Sequence, residues 1–201
     1  CVVPYTRGAE FSRPVADVTM ALSTSNPAEG TVGPASVTFT AANWNVPQTA
    51  TVTGVDDATQ DGAQSYLVVT GPATSGDFLY DGVNPADVSV SNADDDSAGI
   101  TVTPASGLTT TETGGSTTFT VALTSQPSAD VTIGLSSSDT TEGTVAPSSV
   151  TFTSANWSTP QTVTVTGVDD SLDDGDVAFS IVTAAATSSD GTYTGLNASD
   201  V

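Results

Sequence analysis

The only side chains in this sequence numerous enough, and close enough together, to build a site are carboxylates. Asp and Glu number 23 against 2 Lys plus Arg, with no His and a formal charge of -21. Many of them fall in bunches: Asp56, Asp57 and Asp61; then Asp94, Asp95 and Asp96; then Asp169, Asp170, Asp173, Asp174 and Asp176. Glu29 stands before the first bunch, and Glu112, Asp139 and Glu142 stand between the second and the third. Both cationic residues, Arg7 and Arg13, lie near the N-terminus, so nothing from Pro14 onward can neutralise these groups. Two like charges about 4 Å apart repel by ~1 kcal/mol in bulk water and ~4 kcal/mol at an effective dielectric near 20, so converging carboxylates splay their loops. A hard divalent cation reverses that sign. Calcium accepts about 6 to 8 oxygen ligands in adaptable geometry that irregular loops can supply, and magnesium is more exacting. Zinc prefers His or Cys and finds one Cys here. The alternative is a solvated acidic rim without an ion, as in proteins adapted to high salt.

The same charge balance excludes function classes. Phosphate backbones and anionic membranes both require clustered cations, so neither nucleic acid nor an anionic lipid surface is expected as a partner. An enzyme is not expected either. Without His or Lys the usual general bases and Schiff-base nucleophiles are missing, and no G-x-S-x-G elbow or phosphate-binding glycine loop occurs. Paired carboxylates exist, but on loops with nothing visible to raise one pKa for glycoside hydrolysis. No run approaches the ~20 apolar residues of a membrane-spanning helix. Cys1 is the single cysteine, so an internal disulfide is impossible. It reads as the first residue of a processed or excised chain, as an intermolecular disulfide partner or as a lipid-bearing residue of a bacterial surface protein.

The elements that must position the acids come in two copies. SVTFTAANWNVPQTATVTGVDD from Ser36 aligns without a gap on SVTFTSANWSTPQTVTVTGVDD from Ser149. Trp44 and Trp157, Pro14 and Pro127, Gly54 and Gly167, Tyr80 and Tyr193, and Val88 and Val201 all keep one spacing of 113 residues. A repeat of that length means tandem domains rather than a propeller or solenoid. Alternation of period two marks strands in the second copy at Ile100 to Thr103, Ser116 to Leu123, Asp130 to Leu135, Ser149 to Thr153, Gln161 to Gly167 and Val177 to Thr183. A seventh shows only in the first copy, at Ala86 to Asn92. Seven short strands joined by Gly, Pro, Ser and Asp clusters predict an all-β chain of two tandem immunoglobulin-like sandwiches, residues 1–97 and 98–201. Trp44, Trp157, Phe39, Phe152, Tyr66 and Phe179 are expected in the cores. The rival role for the tryptophans is an exposed platform for sugar. If each strand reverses direction, the acidic loops of a copy fall at one end of its sandwich.

The copies are incomplete in opposite ways. CVVPYTRGAEFSR is too short to supply two strands before Pro14, and the second copy stops at Val201 where the first continues as SVSNADDD. An open sheet edge in each domain follows, and open edges invite another strand. Two explanations stand: a fragment of a longer array, or a head-to-tail filament in which a neighbouring molecule donates the missing strand.

TTTETGGSTTFTVALTSQP, VDDSLDDGDVAF and NADDDSAGITV together resemble the Calx-beta repeat, over nearly all of the chain after the first dozen residues. The resemblance implies a Greek-key sandwich that binds calcium at one tip through Glu112, through Asp169 and Asp170 or Asp56 and Asp57, and through Asp94 to Asp96. The first copy departs from the pattern by lacking the early Glu and by carrying Gln60 and Ala63 opposite Asp173 and Asp176. The second lacks the terminal acidic run, so neither site is complete within the chain. These readings lead to a non-enzymatic spacer or adhesive repeat of an extracellular or cell-surface protein. It would be stiffened by Ca²⁺ at its domain tips and joined head-to-tail to neighbouring repeats or identical subunits. The alternative is a carbohydrate- or ligand-binding accessory module of a secreted enzyme.

Overall fold

The computed structural model describes residues 12–169, 171 and 175–201. Among them there is no helix, and every strand pairing is antiparallel. The chain divides into two compact units, one formed by the residues up to Asp57 with Gly62–Asp94 and the other by Ala58–Asp61 with Asp95–Val201.

The second unit has the fuller core. Its strands are β8 (Ile100–Thr103), β9 (Ser116–Leu123), β10 (Val131–Ser137), β11 (Gly143–Ala146), β12 (Ser149–Phe152), β13 (Gln161–Gly167) and β14 (Ile181–Thr183). One sheet runs β11-β13-β9-β8 and the other β12-β10-β14, an arrangement compatible with a β-sandwich. Period-two patterning drives the packing, because alternate side chains of a strand leave on opposite faces. Phe119, Val121 and Leu123 of β9 and Val163 and Val165 of β13 meet Val131, Ile133 and Leu135 of β10, Val150 and Phe152 of β12 and Ile181 of β14 in one buried cluster. Full burial of each large member contributes about 1.5–3 kcal/mol against leaving it in water.

The first unit contains β1 (Val18–Thr24), β2 (Gly30–Gly33), β3 (Ser36–Phe39), β4 (Thr51–Gly54), β5 (Gln64–Thr70), β6 (Thr74–Ser75) and β7 (Val88–Asn92). A sheet of order β3-β1-β5-β7, with β6 on β1, accompanies a β2-β4 pair. Positions 113 residues apart form the same ladders: Val18 pairs with Phe39 as Val131 pairs with Phe152, and Gly30 with Gly54 as Gly143 with Gly167. The layer supplied by β8 and β9 has no counterpart among the described residues of this unit. Fewer of its described apolar side chains are buried. Val18, Tyr66, Val68 and Ala73 are buried, while Met20, Val37, Phe39 and Val52 are only half-buried.

Several expectations are corrected. The stretch of Val177 to Thr183 reads as one strand, but only Ile181–Thr183 is strand, because positions 177–180 pair with no strand among the described residues. The first copy shows the difference a partner makes: β5 is seven residues long where β7 lies beside it. An additional strand, β11, precedes the expected one at Ser149. It pairs with β13 in one sheet, while β12, three residues later, pairs with β10 in the other. The strand expected at Asp130 to Leu135 runs instead from Val131 to Ser137. Of the aromatic residues expected in the cores, Tyr66 and Phe152 are buried; Trp157 and Phe179 are half-buried against the second core, and Phe39 and Trp44 are half-buried.

Candidate metal-binding loops

The acids of the second unit are placed by its ladders. β10 ends at Ser137 and the turn that follows leads into β11, whose first residue pairs with the last of β13. That register sets Glu142 beside the exit of β13, where Val168 N donates to Glu142 O at 3.0 Å. Gly167 N donates to Gly115 O at 3.0 Å, and Gly115 bridges to Thr111, so Glu112 is carried to the same end. Asp139, Glu142, Glu112 and the exposed Asp169 therefore share one end, as strand parity predicts. Glu112, Glu142 and Asp176 line a single open cleft of about 910 Å³. Among the described residues, Glu112, Asp169 and Asp176 do not converge into one three-carboxylate group. Asp170, Asp173 and Asp174 lie outside the described residues.

In the first unit, Val55 N donates to Glu29 O at 3.0 Å, which holds the exit of β4 against the turn bearing Glu29. Asn92 Nδ2 spans the two, donating to Val55 O at 2.7 Å and to Glu29 Oε2 at 3.3 Å. Asp56 and Asp57 follow immediately and are exposed, and the Asp57 and Glu29 carboxylates come within 4.8 Å of each other. Asp94 is drawn to the same end by Gly62 N, which donates to its Oδ2 at 2.6 Å. Within the second unit, the carboxylates of Asp95 and Asp96 also approach within 4.8 Å. The exposed Asp61 belongs to the short segment Ala58–Asp61 of that unit. This segment is tied down by Gln126 N donating to Ala58 O and Ala98 N to Gln60 Oε1, both at 2.6 Å. Carboxylate oxygens at such separations could hold a hard cation.

Other acids are used inside the fold, and sequence reasoning did not single them out. Asp190, only 7% exposed, accepts from Ser128 N at 2.7 Å, Thr192 N at 2.9 Å and Thr192 Oγ1 at 2.6 Å. Burial pushes its pKa up, but the Thr192 hydroxyl and the Ser128 and Thr192 amides outweigh that and lower it to about 2. Asp77 repeats the role, accepting from Val15 N at 2.9 Å and Leu79 N at 3.1 Å. Asp139 is held below its ordinary value chiefly by the Thr141 hydroxyl. Asp87 and Asp200 accept from Thr70 N and Thr183 N, each at 2.9 Å. The signal available was the shared 113-residue spacing of each pair, Asp77 with Asp190 and Asp87 with Asp200.

The asparagine of the A-N-W segment closes its own turn: Asn43 Oδ1 accepts from Thr40 N at 2.5 Å and Asn156 Oδ1 from Thr153 N at 2.6 Å. That turn lays the Trp157 ring on the second core. The buried Tyr193 hydroxyl donates to Ser125 O at 2.6 Å and accepts from Ser125 N at 3.1 Å; Tyr80 and Ser12 are the equivalent pair in the first unit. Compared with known proteins, the chain matches no family model and no curated protein.

Proposed function

We propose that the chain is a non-enzymatic spacer module of an extracellular or cell-surface protein: two tandem immunoglobulin-like Greek-key sandwiches whose acidic loops bind Ca²⁺ and so become rigid. The observation that carries this reading is the collection of acids at strand ends, with no cationic side chain among them in the described residues. Glu29 and Asp57 approach one another in the first unit, and Asp95 and Asp96 in the second. The bond from Asp94 to Asp95 is also one of the three points at which the chain passes between the two units. A cation held there would replace repulsion with shared coordination and reduce the freedom of the linker. A formal charge of -21 and the absence of His and Lys fit a scaffold better than a catalyst.

Small-angle scattering in millimolar calcium and in chelator, with calorimetric titration, tests it. Calcium should lengthen the maximum dimension, narrow the conformational spread and raise the melting temperature, and Asp95→Asn with Asp96→Asn should abolish the response. Identical profiles in calcium and chelator would refute it. The alternative, a ligand-binding accessory module, draws on Phe78 and Leu79, which are 85% and 62% exposed. The tryptophans lend that reading less, being half-buried.

A further inference from the structure

One turn is built alike in both units and carries side chains of opposite polarity at its tip. In the first unit the Asp77 carboxylate receives Val15 N at 2.9 Å and Leu79 N at 3.1 Å, and Tyr80 N and Asp81 N close the turn on Asp77 O, each at 3.0 Å. In the second unit Asp190 receives Ser128 N at 2.7 Å and Thr192 N at 2.9 Å, with Tyr193 N and Thr194 N on Asp190 O at 3.2 and 2.9 Å. Because one carboxylate holds both backbone segments, the frame gathers three side chains at one place. In the second unit these are Ser128, Gly191 and Thr192, all exposed. In the first they are Val15, Phe78 and Leu79, which are 87%, 85% and 62% exposed. Exposure at these positions belongs to the turn itself, since the unit with the fuller core shows it too, and the first unit alone sets large apolar groups there.

Charge is distributed around this tip in the same sense. Arg13 is the one cationic side chain among the described residues; it is exposed, and it stands between Ser12, whose carbonyl receives the Tyr80 hydroxyl, and Val15. Asp81 turns its Oδ1 back to Ser75 N at 3.1 Å. The pairing of Val18 with Ser75 puts the tip where β1 begins, whereas Glu29 follows the end of β1, and Asp94 follows Asn92, which pairs with Gln64 at the start of β5. The apolar tip and the acidic loops of the first unit therefore occupy opposite ends. A phenylalanine offers about 200 Å², so the three side chains present on the order of 400 Å², the size of a functional patch on a monomer. That is half of the about 800 Å² that each partner gives to a stable protein interface. Two copies of a chain with a formal charge of -21 also repel one another. A bilayer needs no matching area: apolar side chains enter the boundary between headgroups and acyl chains, and an arginine beside them keeps its charge at the phosphates.

We propose that the turn at Asp77–Tyr80, together with Arg13 and Val15, is a docking tip for a zwitterionic lipid surface, phosphocholine headgroups over a hydrocarbon interior. Phe78 and Leu79 enter the boundary layer, Val15 lies beside them, and the Arg13 guanidinium meets a lipid phosphate. The exposed Asp17 and Asp81 and the overall charge make an anionic surface the wrong partner. None of the acidic loops takes part, so the inference does not rest on the calcium reading, and its test runs in chelator.

The test measures co-sedimentation of the full chain with sucrose-loaded phosphatidylcholine vesicles. Three side chains should bind more weakly than a single myristoyl chain, whose association constant is about 10⁴ M⁻¹, so half of the protein should pellet at about millimolar lipid. Phe78→Ser with Leu79→Ser changes two exposed side chains and should leave the melting temperature unchanged while weakening association about tenfold. Arg13→Gln should weaken it a few-fold, and vesicles with about a third of anionic lipid should bind less than neutral ones. In a Phe78→Trp chain, lipid brominated in its acyl chains should quench fluorescence well beyond the quenching of the native Trp44 and Trp157. No pelleting at about 10 mM lipid, equal pelleting of the native and doubly substituted chains, or tighter binding to the anionic vesicles would overturn the proposal. A concentration-dependent dimer that Phe78→Ser with Leu79→Ser dissolves, without pelleting of the native chain, would assign the tip to a second copy and overturn it likewise.

Discussion

Replacing Asp190 by Asn asks how much one carboxylate contributes to the second unit. Asp190 receives two amides and a hydroxyl at 2.6–2.9 Å while only 7% exposed, and its pKa falls from the ordinary 3.8 to about 2. A lowered folded-state pKa means that the ionised form is bound more tightly in the folded chain. The contribution is complete above about pH 5 and disappears as pH falls from 4 toward 2. At 1.36 kcal/mol per pH unit the full difference is ~2.4 kcal/mol, and screening where the loop meets water lowers the expected value to about 1–2 kcal/mol. Asn keeps the shape and a carbonyl acceptor but cannot titrate. Urea unfolding of native and Asp190→Asn chains, each carrying Trp44→Phe so that only Trp157 reports, should show a stability gap of that size at pH 6. The gap should close steadily by pH 2, and taking the difference cancels the titration of the other acids. A gap that stays constant across this range would show that the hydrogen bonds do not depend on the charge, and the reasoning would fail.

Two further substitutions compare the copies directly. Tyr193→Phe deletes a buried hydroxyl that serves both the amide and the carbonyl of Ser125, and should cost the second unit about 1–3 kcal/mol in denaturant unfolding; Tyr80→Phe, at a half-buried ring, should cost the first unit less. Phe152→Ala empties a fully buried site and should cost about 3–5 kcal/mol, while Phe39→Ala at the equivalent half-buried position should cost under half as much by the same measurement.

The repeat made most of the ladder legible. Identical SVTF and TVTG segments 113 residues apart pair identically in the two copies. Period two could place β9, β10 and β13 because each has one face on the core. It could not place the end of β14, because whether Val177 to Ser180 form a strand depends on a partner and not on their own pattern. Gly143 to Ala146 escaped for a similar reason: GTVA is short and begins with glycine, and its strand character comes from β13 alongside. The close packing of Gly143 is visible only in three dimensions, since a Cβ there would come within 2.3 Å of the Phe179 ring and displace it. At the candidate site, the clustering of acids at strand ends was readable by parity. The side-chain bonds that commit Asp190 and Asp139 to the fold were not, because they depend on the conformation of the turns.

The passage of one chain segment from β11 to β12 has a mechanical consequence. Four residues are laddered into one sheet, two residues cross over, and the next four are laddered into the other. Each layer is thereby stitched to its neighbour by a thread too short to slacken. While both ladders remain intact, the layers cannot slide past one another at that edge by more than the reach of this short link, about 3.3–3.6 Å per residue.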